Sequence, residues 1–212
     1  TSLKKVNILI NPFQNTGSSQ YSWISGGMTQ SVISDLMKIS SISVFTEEDR
    51  RKAIQEIELG MTGLVRESEI VQTGTIMGAQ LIFSGSYTVS GNQVRVNANL
   101  VSIEKGSVDT AITIDGTVDR IFDLQDRIVD ELMNTAAKTP FSGRRPAVIT
   151  DYDRARIRSL PRPSTAAFES YSKGLEFYYT DPEKALSYFN KAVTSDNNYY
   201  YAHIAAGGIY SL

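Results

Sequence analysis

Short apolar runs and amphipathic stretches alternate along the first two thirds of this chain, and their spacing assigns the elements. Val6-Asn7-Ile8-Leu9-Ile10 is a strand-length apolar run closed by Asn11-Pro12, with Asn15-Thr16-Gly17 as the loop that follows. From Tyr21 to Lys38 the period changes to that of a helix. Ile24, Met28, Val32 and Leu36 recur every fourth residue, and Ile33 and Met37 widen the stripe. Ile42 to Phe45 is a second strand. Thr46, with Asp49 three positions on, predicts the start of a charged helix from Glu47 to about Leu59. A short helix is predicted over Glu67 to Met77, ending at Gly78. Three strand patterns follow, Gln80–Val89, Gln93–Ile103 and Ser107–Thr117, separated by the turn sequences Ser90-Gly91-Asn92 and Glu104-Lys105-Gly106. Val94, Val96, Ala98 and Leu100 alternate with Arg95, Asn97 and Asn99, as in a strand with one wet face. Asp119 is placed to cap a helix running through Ala137, with Ile121, Leu124, Ile128, Leu132 and Met133 on one side.

The last third reads differently. From Ser164 the order is Tyr171, Gly174, Phe177, then Ala185, Phe189, Ala192, then Tyr199 and Ala202. Gly174 returns as Gly207 and Phe177 as Tyr210, both 33 residues on, within one residue of the tetratricopeptide period. Small residues at Gly174, Ala185 and Ala192 let two antiparallel helices approach, while Phe177, Tyr188 and Phe189 fill the groove between them. Between the two parts, residues 139–163 hold Pro140, Pro146, Pro161 and Pro163. They carry Arg144, Arg145, Arg154, Arg156, Arg158 and Arg162 against Asp151 and Asp153, a net of +4. The composition predicts an extended connection that wraps or joins two units, a solvated linker in preference to a polyanion-binding strip; whether it docks on the first is left open.

Composition narrows the function classes. An apolar content of 41% and a charged content of 21% are those of a folded globular chain, and 212 residues can hold one sizeable domain with an appendage. The net charge of −2 argues against a nucleic-acid partner. No cysteine is present, which removes disulfides, thiolate metal sites and cysteine nucleophiles. No apolar run is long enough to span a bilayer as a helix. The chain opens at Thr1 without Met and stops at Leu212 inside a helical pattern, so both ends read as cut; a signal peptide or lipid-bearing residue is compatible with a place before Thr1.

The residues that could carry chemistry are few. His203 stands alone between Ala202 and Ile204, so neither a triad nor a histidine metal site can be assembled. Gly26-Gly27 and Gly74-Thr75-Ile76-Met77-Gly78 lack phosphate-loop spacing and fit helix ends and close packing. Glu47-Glu48-Asp49 suits a helix N-terminus, and Asp123, Asp126, Asp130 and Glu131 fall on the polar side of the helix that begins near Ile121, which predicts a solvated face. No catalytic, cofactor or metal residue is assigned. Trp23 is expected as a core anchor. The remaining candidates are the dense tyrosines Tyr178, Tyr179, Tyr199, Tyr200 and Tyr201, too many to face one narrow core and suited to partner contact.

Several words at the joints of these elements resemble the CsgG, FlgO and TolB-N-terminal-like group of bacterial envelope domains. Ile10-Asn11-Pro12-Phe13-Gln14-Asn15 is similar to that group's "LPFEN" opening, and Gly27-Met28-Thr29-Gln30 with Leu36 to the helix after it. Glu48-Asp49-Arg50, the segment from Gly78 to Ser86, Val94-Arg95-Val96 through Leu100-Val101, and Ile121 to Asp126 resemble the later words in the same order. The resemblance covers roughly residues 5 to 138. It implies an α/β (α+β) sandwich with a mixed β-sheet packed by helices, here followed by an all-α tetratricopeptide helical hairpin region. The expected units are 1–138 for the α/β domain, 139–163 for the Pro/Arg-rich linker and 164–212 for the helical repeats. The resemblance further implies no enzymatic activity and no cofactor. The expected role is that of a periplasmic or outer-membrane-associated scaffold or assembly factor, a lipoprotein whose membrane association would come only through a lipid anchor upstream of Thr1. Its partners would be envelope proteins, with homo-oligomer formation an open option and no nucleic acid. Pore formation is not expected, since the hairpin at Ser90-Gly91-Asn92 is too tight for a barrel insertion. The alternative expectation is a sensory module of a larger signalling protein, because similar arrangements are attached to adenylate cyclases and transcription regulators.

Overall fold

The computed structural model describes residues 5–46, 48–53, 75, 77–141, 145–159 and 161–210. It contains a six-stranded mixed sheet with helices packed on it. Strand β1 (Val6–Ile10) is an interior strand, with Val6, Ile8, Leu9 and Ile10 buried and Asn7 partly so. It pairs in parallel with β3 (Ile42–Phe45) on one side, Val6 opposite Ile42, and with β4 (Leu81–Ser90) on the other, Ile8 opposite Leu81. The two-residue β2 (Gln14–Asn15) continues the parallel pairing along the far half of β4. Strands β4, β5 (Gln93–Ser102) and β6 (Ser107–Thr117) form an antiparallel meander, giving the order β3-β1-β4-β5-β6. The two tight turns depend on Gly91 at φ 59° and Gly106 at φ 61°, a backbone region that only glycine enters without strain.

Helices α1 (Trp23–Leu36) and α2 (Ile121–Lys138) cover one face of the sheet. Ile8, Ile10, Phe83, Val96 and Leu100 from the strands meet Ile24, Met28, Val32, Leu124 and Ile128 from the helices in one continuous core. On the opposite face a small cluster of Leu9, Ala79 and Ile82 gives way to a polar depression of about 450 Å³ bearing Ser84, Ser86, Asn97, Asn99 and Thr113. Asp119 does not cap α2 as its position predicted. A short 3-10 turn over Val118–Arg120 intervenes, and Asp119 instead accepts a 2.6 Å hydrogen bond from Asn92 in the β4–β5 turn. Thr46 and Asp49 do form the predicted reciprocal cap, and residues 48–53 are helical. The rest of that predicted helix, and most of the one predicted over Glu67 to Met77, lie outside the described residues.

The arginine-rich connection differs from the extended, solvated segment that its prolines suggested. Residues Asp151–Arg158 form a helix, α3, because Thr150 and Asp153 close a capping box with hydrogen bonds of 3.1 and 2.9 Å. The segment is also docked: Arg154 and Arg158 both reach Asp130, at 3.1 and 2.7 Å, and Arg162 joins Asp35 and Asp126. Asp126 and Asp130 therefore serve as ion-pair partners, not as the solvated face predicted from helical spacing.

Three helices complete the chain: α4 (Thr165–Phe177), α5 (Pro182–Ser195) and α6 (Tyr200–Ile209). Ser164 caps α4, and Asp181 caps α5 just ahead of Pro182 at its first turn. Helices α4 and α5 form a tight hairpin in which a Cβ on Gly174 would overlap the Phe189 ring, so the glycine is what lets the helices close. Phe177 and Tyr188 stack at 6.0 Å across the same hairpin.

The hairpin packs directly on the α/β part. A Cβ on Gly27 would overlap Ser172 Oγ and lie 2.8 Å from Ser172 Cβ and 2.9 Å from Phe168 Cζ. The Phe168 ring sits edge-on against Trp23 at 6.2 Å and Phe122 at 5.0 Å. Trp23 is thus a core residue, and it belongs to the joint between the two parts of the chain.

Candidate interaction surface

Among the described residues no three histidine or acidic side chains stand close enough to hold a metal ion. His203 is exposed, with Nε2 2.9 Å from the Asn197 carbonyl oxygen. Asp35, with a side chain only 4% exposed, is matched by Lys38 at 3.0 Å, Arg162 at 3.2 Å and the Gln125 amide at 3.1 Å. Burial raises the carboxyl pKa of Asp126 above its ordinary value, and the neighbouring Arg162 guanidinium pulls it back down. A carboxylate held by a guanidinium in this way clamps the connecting segment to α2.

The predicted tyrosines fall into three environments. Tyr199 is buried between Tyr171 and Tyr201, with ring centroids 5.1 and 6.4 Å away, so its ring forms part of the interior. Burial raises the hydroxyl pKa of Tyr171, Tyr178 and Tyr199, which therefore remain protonated hydrogen-bond donors at neutral pH. Tyr200 is exposed near the start of α6. Tyr178, Tyr179 and Tyr201 come together along a trough of about 480 Å³.

One wall of that trough is α1, through Gly26, Thr29, Gln30 and Ile33; Pro12 lies beside it. The other wall comes from the C-terminal helices: Tyr171, Leu175 and Tyr178 from α4 and its end, and Tyr201, Ile204 and Gly208 from α6. Gly208 has no side chain where the Tyr178 hydroxyl sits, 2.6 Å from where a Cβ would be. Tyr201 accepts a 2.7 Å hydrogen bond from Ser34, tying α6 to α1. Arg51 lays its guanidinium 4.0 Å from the centre of the Tyr179 ring. Among the described residues, none that lines the trough is charged. The α1 wall and Arg51 were not found from sequence. The adjacent Gly26-Gly27 inside a helical stripe was the available signal, since two glycines in mid-helix mark a close approach.

No family model matches the chain. A curated relative, "Putative adenylate cyclase 3" of Rhizobium meliloti, is 24% identical over 131 residues, 61% of this chain. The chain spans about a fifth of that protein, 21% of its length. In fold it is similar to the LpoB C-terminal domain from Salmonella enterica, at 14% identity and a TM-score of 0.45, over 54% of this chain and 84% of that one. It is also similar to lipoprotein GNA1162 from Neisseria meningitidis, at 19% identity and a TM-score of 0.44, over 61% of this chain and 98% of that one. TolB from Acinetobacter baumannii is a third, at 11% identity and a TM-score of 0.44, over 65% and 30%. Among the described residues no helix is long and apolar enough to cross a membrane.

Proposed function

We propose that this chain is a non-enzymatic scaffold or assembly factor of the bacterial cell envelope, periplasmic or attached to the outer membrane, that binds protein partners. Its architecture is read as an α/β unit over 1–138, of the CsgG, FlgO and TolB-N-terminal-like kind, a docked linker over 139–163 and tetratricopeptide-type helices over 164–212. The observation that carries the reading is the tyrosine-lined trough between α1 and the helices α4 and α6. Tyrosine supplies large, rigid contact area with a hydrogen-bonding tip, the composition of a protein-binding surface. A lipid anchor upstream of Thr1 would hold the unit at the membrane, and self-association is compatible with the same role. The test is fractionation of the source cells with an antibody to this chain, combined with a photo-crosslinking residue at Tyr179. Recovery from the periplasm or outer membrane with a discrete crosslinked protein is the expected result. Recovery from those fractions without any crosslink would refute partner binding at this surface.

A second reading has its own support in the match to a protein named as an adenylate cyclase. On that reading the chain is a sensory or regulatory module of a larger signalling protein. Recovery on the cytoplasmic side, within a much longer polypeptide, would favour it and end the envelope reading.

A further inference from the structure

Building on the protein-binding reading, the geometry points to a particular occupant of the trough, and we propose a short partner segment with bulky apolar side chains and an acidic residue at the end that meets Tyr179. Size sets the first part. A cleft of about 480 Å³ lies within the range of about 300–1,000 Å³ in which ligand groups are well buried. Its floor and walls present Ile33, Tyr171, Leu175, Tyr178 and Ile204, which reward apolar side chains and offer no charged partner to a polar one. Ile204 is half exposed here, so an occupant would remove apolar surface from water.

Charge sets the second part. Two of the described cations stand beside this cleft: Arg51, against the Tyr179 ring, and Lys38, 3.5 Å from the Tyr201 hydroxyl. Lys38 is already matched by Asp35, which leaves Arg51 as the principal handle for a carboxylate at the Tyr179 end. An acidic side chain seated there gains a charge-assisted hydrogen bond to the guanidinium, about twice as strong as a neutral one. The Tyr178 and Tyr179 hydroxyls can donate to the backbone carbonyls of the bound segment.

The test is a titration of the full chain, followed by fluorescence anisotropy. The probes are a fluorescein-labelled peptide with a Leu-Phe-Leu core between acidic pairs and a twin with lysine pairs. Saturable binding of the acidic peptide with a Kd below about 1 mM is expected, at least about tenfold tighter than the twin. Ile204→Glu and Tyr179→Ala should each weaken it about tenfold, and Arg51→Glu should reverse the preference between the twins. Ile204 and Tyr179 are both half exposed, and an unchanged melting midpoint will show that the variants fold. No saturation, equal binding of the twins, or indifference to both Ile204→Glu and Tyr179→Ala would overturn the proposal. The titration uses purified protein, so its failure leaves the cellular location and the crosslinked partner standing, while failure of those leaves the titration untouched.

Discussion

The joint between α1 and α4 can be broken at one atom. Gly27→Ala adds a methyl where Ser172 Oγ and Cβ already are, with Phe168 Cζ 2.9 Å away. The Oγ and the ring tip can swing aside, but Ser172 Cβ, 2.8 Å from the new atom, is fixed to its helix backbone and cannot. Overpacking of this kind costs about 1–3 kcal/mol, and replacing a mid-helix glycine by alanine returns about 1 kcal/mol. The immovable Cβ puts the clash in the upper part of its range, for a net loss of about 1–2 kcal/mol. In a chain of this size that lowers the melting midpoint by about 2–8 °C. Trp23 is the chain's one tryptophan and packs on Phe168, so its fluorescence reports the joint while far-ultraviolet circular dichroism reports the whole. Both signals should fall together in the wild type, since one core runs through both parts. Ser172→Gly in the same chain removes both of the Ser172 atoms, and a double-mutant cycle, in which the helix-propensity gain cancels, should return a favourable coupling of about 2–3 kcal/mol. A Gly27→Ala protein that melts higher than the wild type, or a coupling of zero, would refute the close packing of α1 on α4.

Three further outcomes follow from named contacts. Phe168→Ala removes a fully buried ring from between Trp23 and Phe122 and should cost about 3–5 kcal/mol, read by urea unfolding with a red-shifted Trp23 emission. Arg162→Met strips one partner from the buried Asp35, which keeps Lys38 and Gln125; the expected loss is about 1–3 kcal/mol, and Asp35→Asn in the same chain should recover part of it. Asp126 titrates above its ordinary 3.8 when folded, chiefly through burial, so the folded chain binds this proton more tightly than the unfolded one. Its contribution to stability is then fully present below 3.8 and is lost as pH rises through the raised value, and Asp126→Asn should remove that slope from the pH dependence of the melting midpoint.

The strands and helices were legible wherever one apolar period dominated. The run Val6–Ile10 reads as a short apolar strand, and the alternation from Val94 to Leu100 as one with a single wet face, and both are strands of the sheet. The turns at Gly91 and Gly106 follow from the same logic. Sequence spacing failed where the deciding partner lies far away along the chain. Asp119 reads as a cap until Asn92, 27 residues earlier, claims its carboxylate. Asp126 and Asp130 read as solvated until arginines from the connecting segment arrive on them. The prolines hid α3, since its capping box at Thr150 and Asp153 lies between them and leaves Asp151–Arg158 proline-free. For the tyrosines, composition told that some must leave the core, but which ones do is set by packing between segments distant in sequence. Tyr199 packs inside against Tyr171, while Tyr178, Tyr179 and Tyr201 lie along the trough beside α1.

The trough exists only because two parts of the chain meet, and this makes its binding depend on the joint. Gly26 and Gln30 in its α1 wall stand on either side of Gly27, whereas Tyr171 and Leu175 in its α4 wall stand on either side of Ser172. A methyl at Gly27 that drives the helices apart must therefore widen the trough at its centre. A gap of only about half an ångström already forfeits part of the dispersion attraction on every facing atom. Gly27→Ala should then weaken the acidic peptide about fivefold to tenfold, corresponding to about 1–1.4 kcal/mol, and Ser172→Gly should restore it. Mass action supplies an independent reading: a hundredfold excess of peptide over its Kd stabilises the wild type by about 2.7 kcal/mol, and at the same peptide concentration the variant should gain less. If Gly27→Ala destabilises the fold as worked out above and yet binds the peptide as the wild type does, α1 is not a wall the occupant uses, and the binding surface belongs to the C-terminal helices alone.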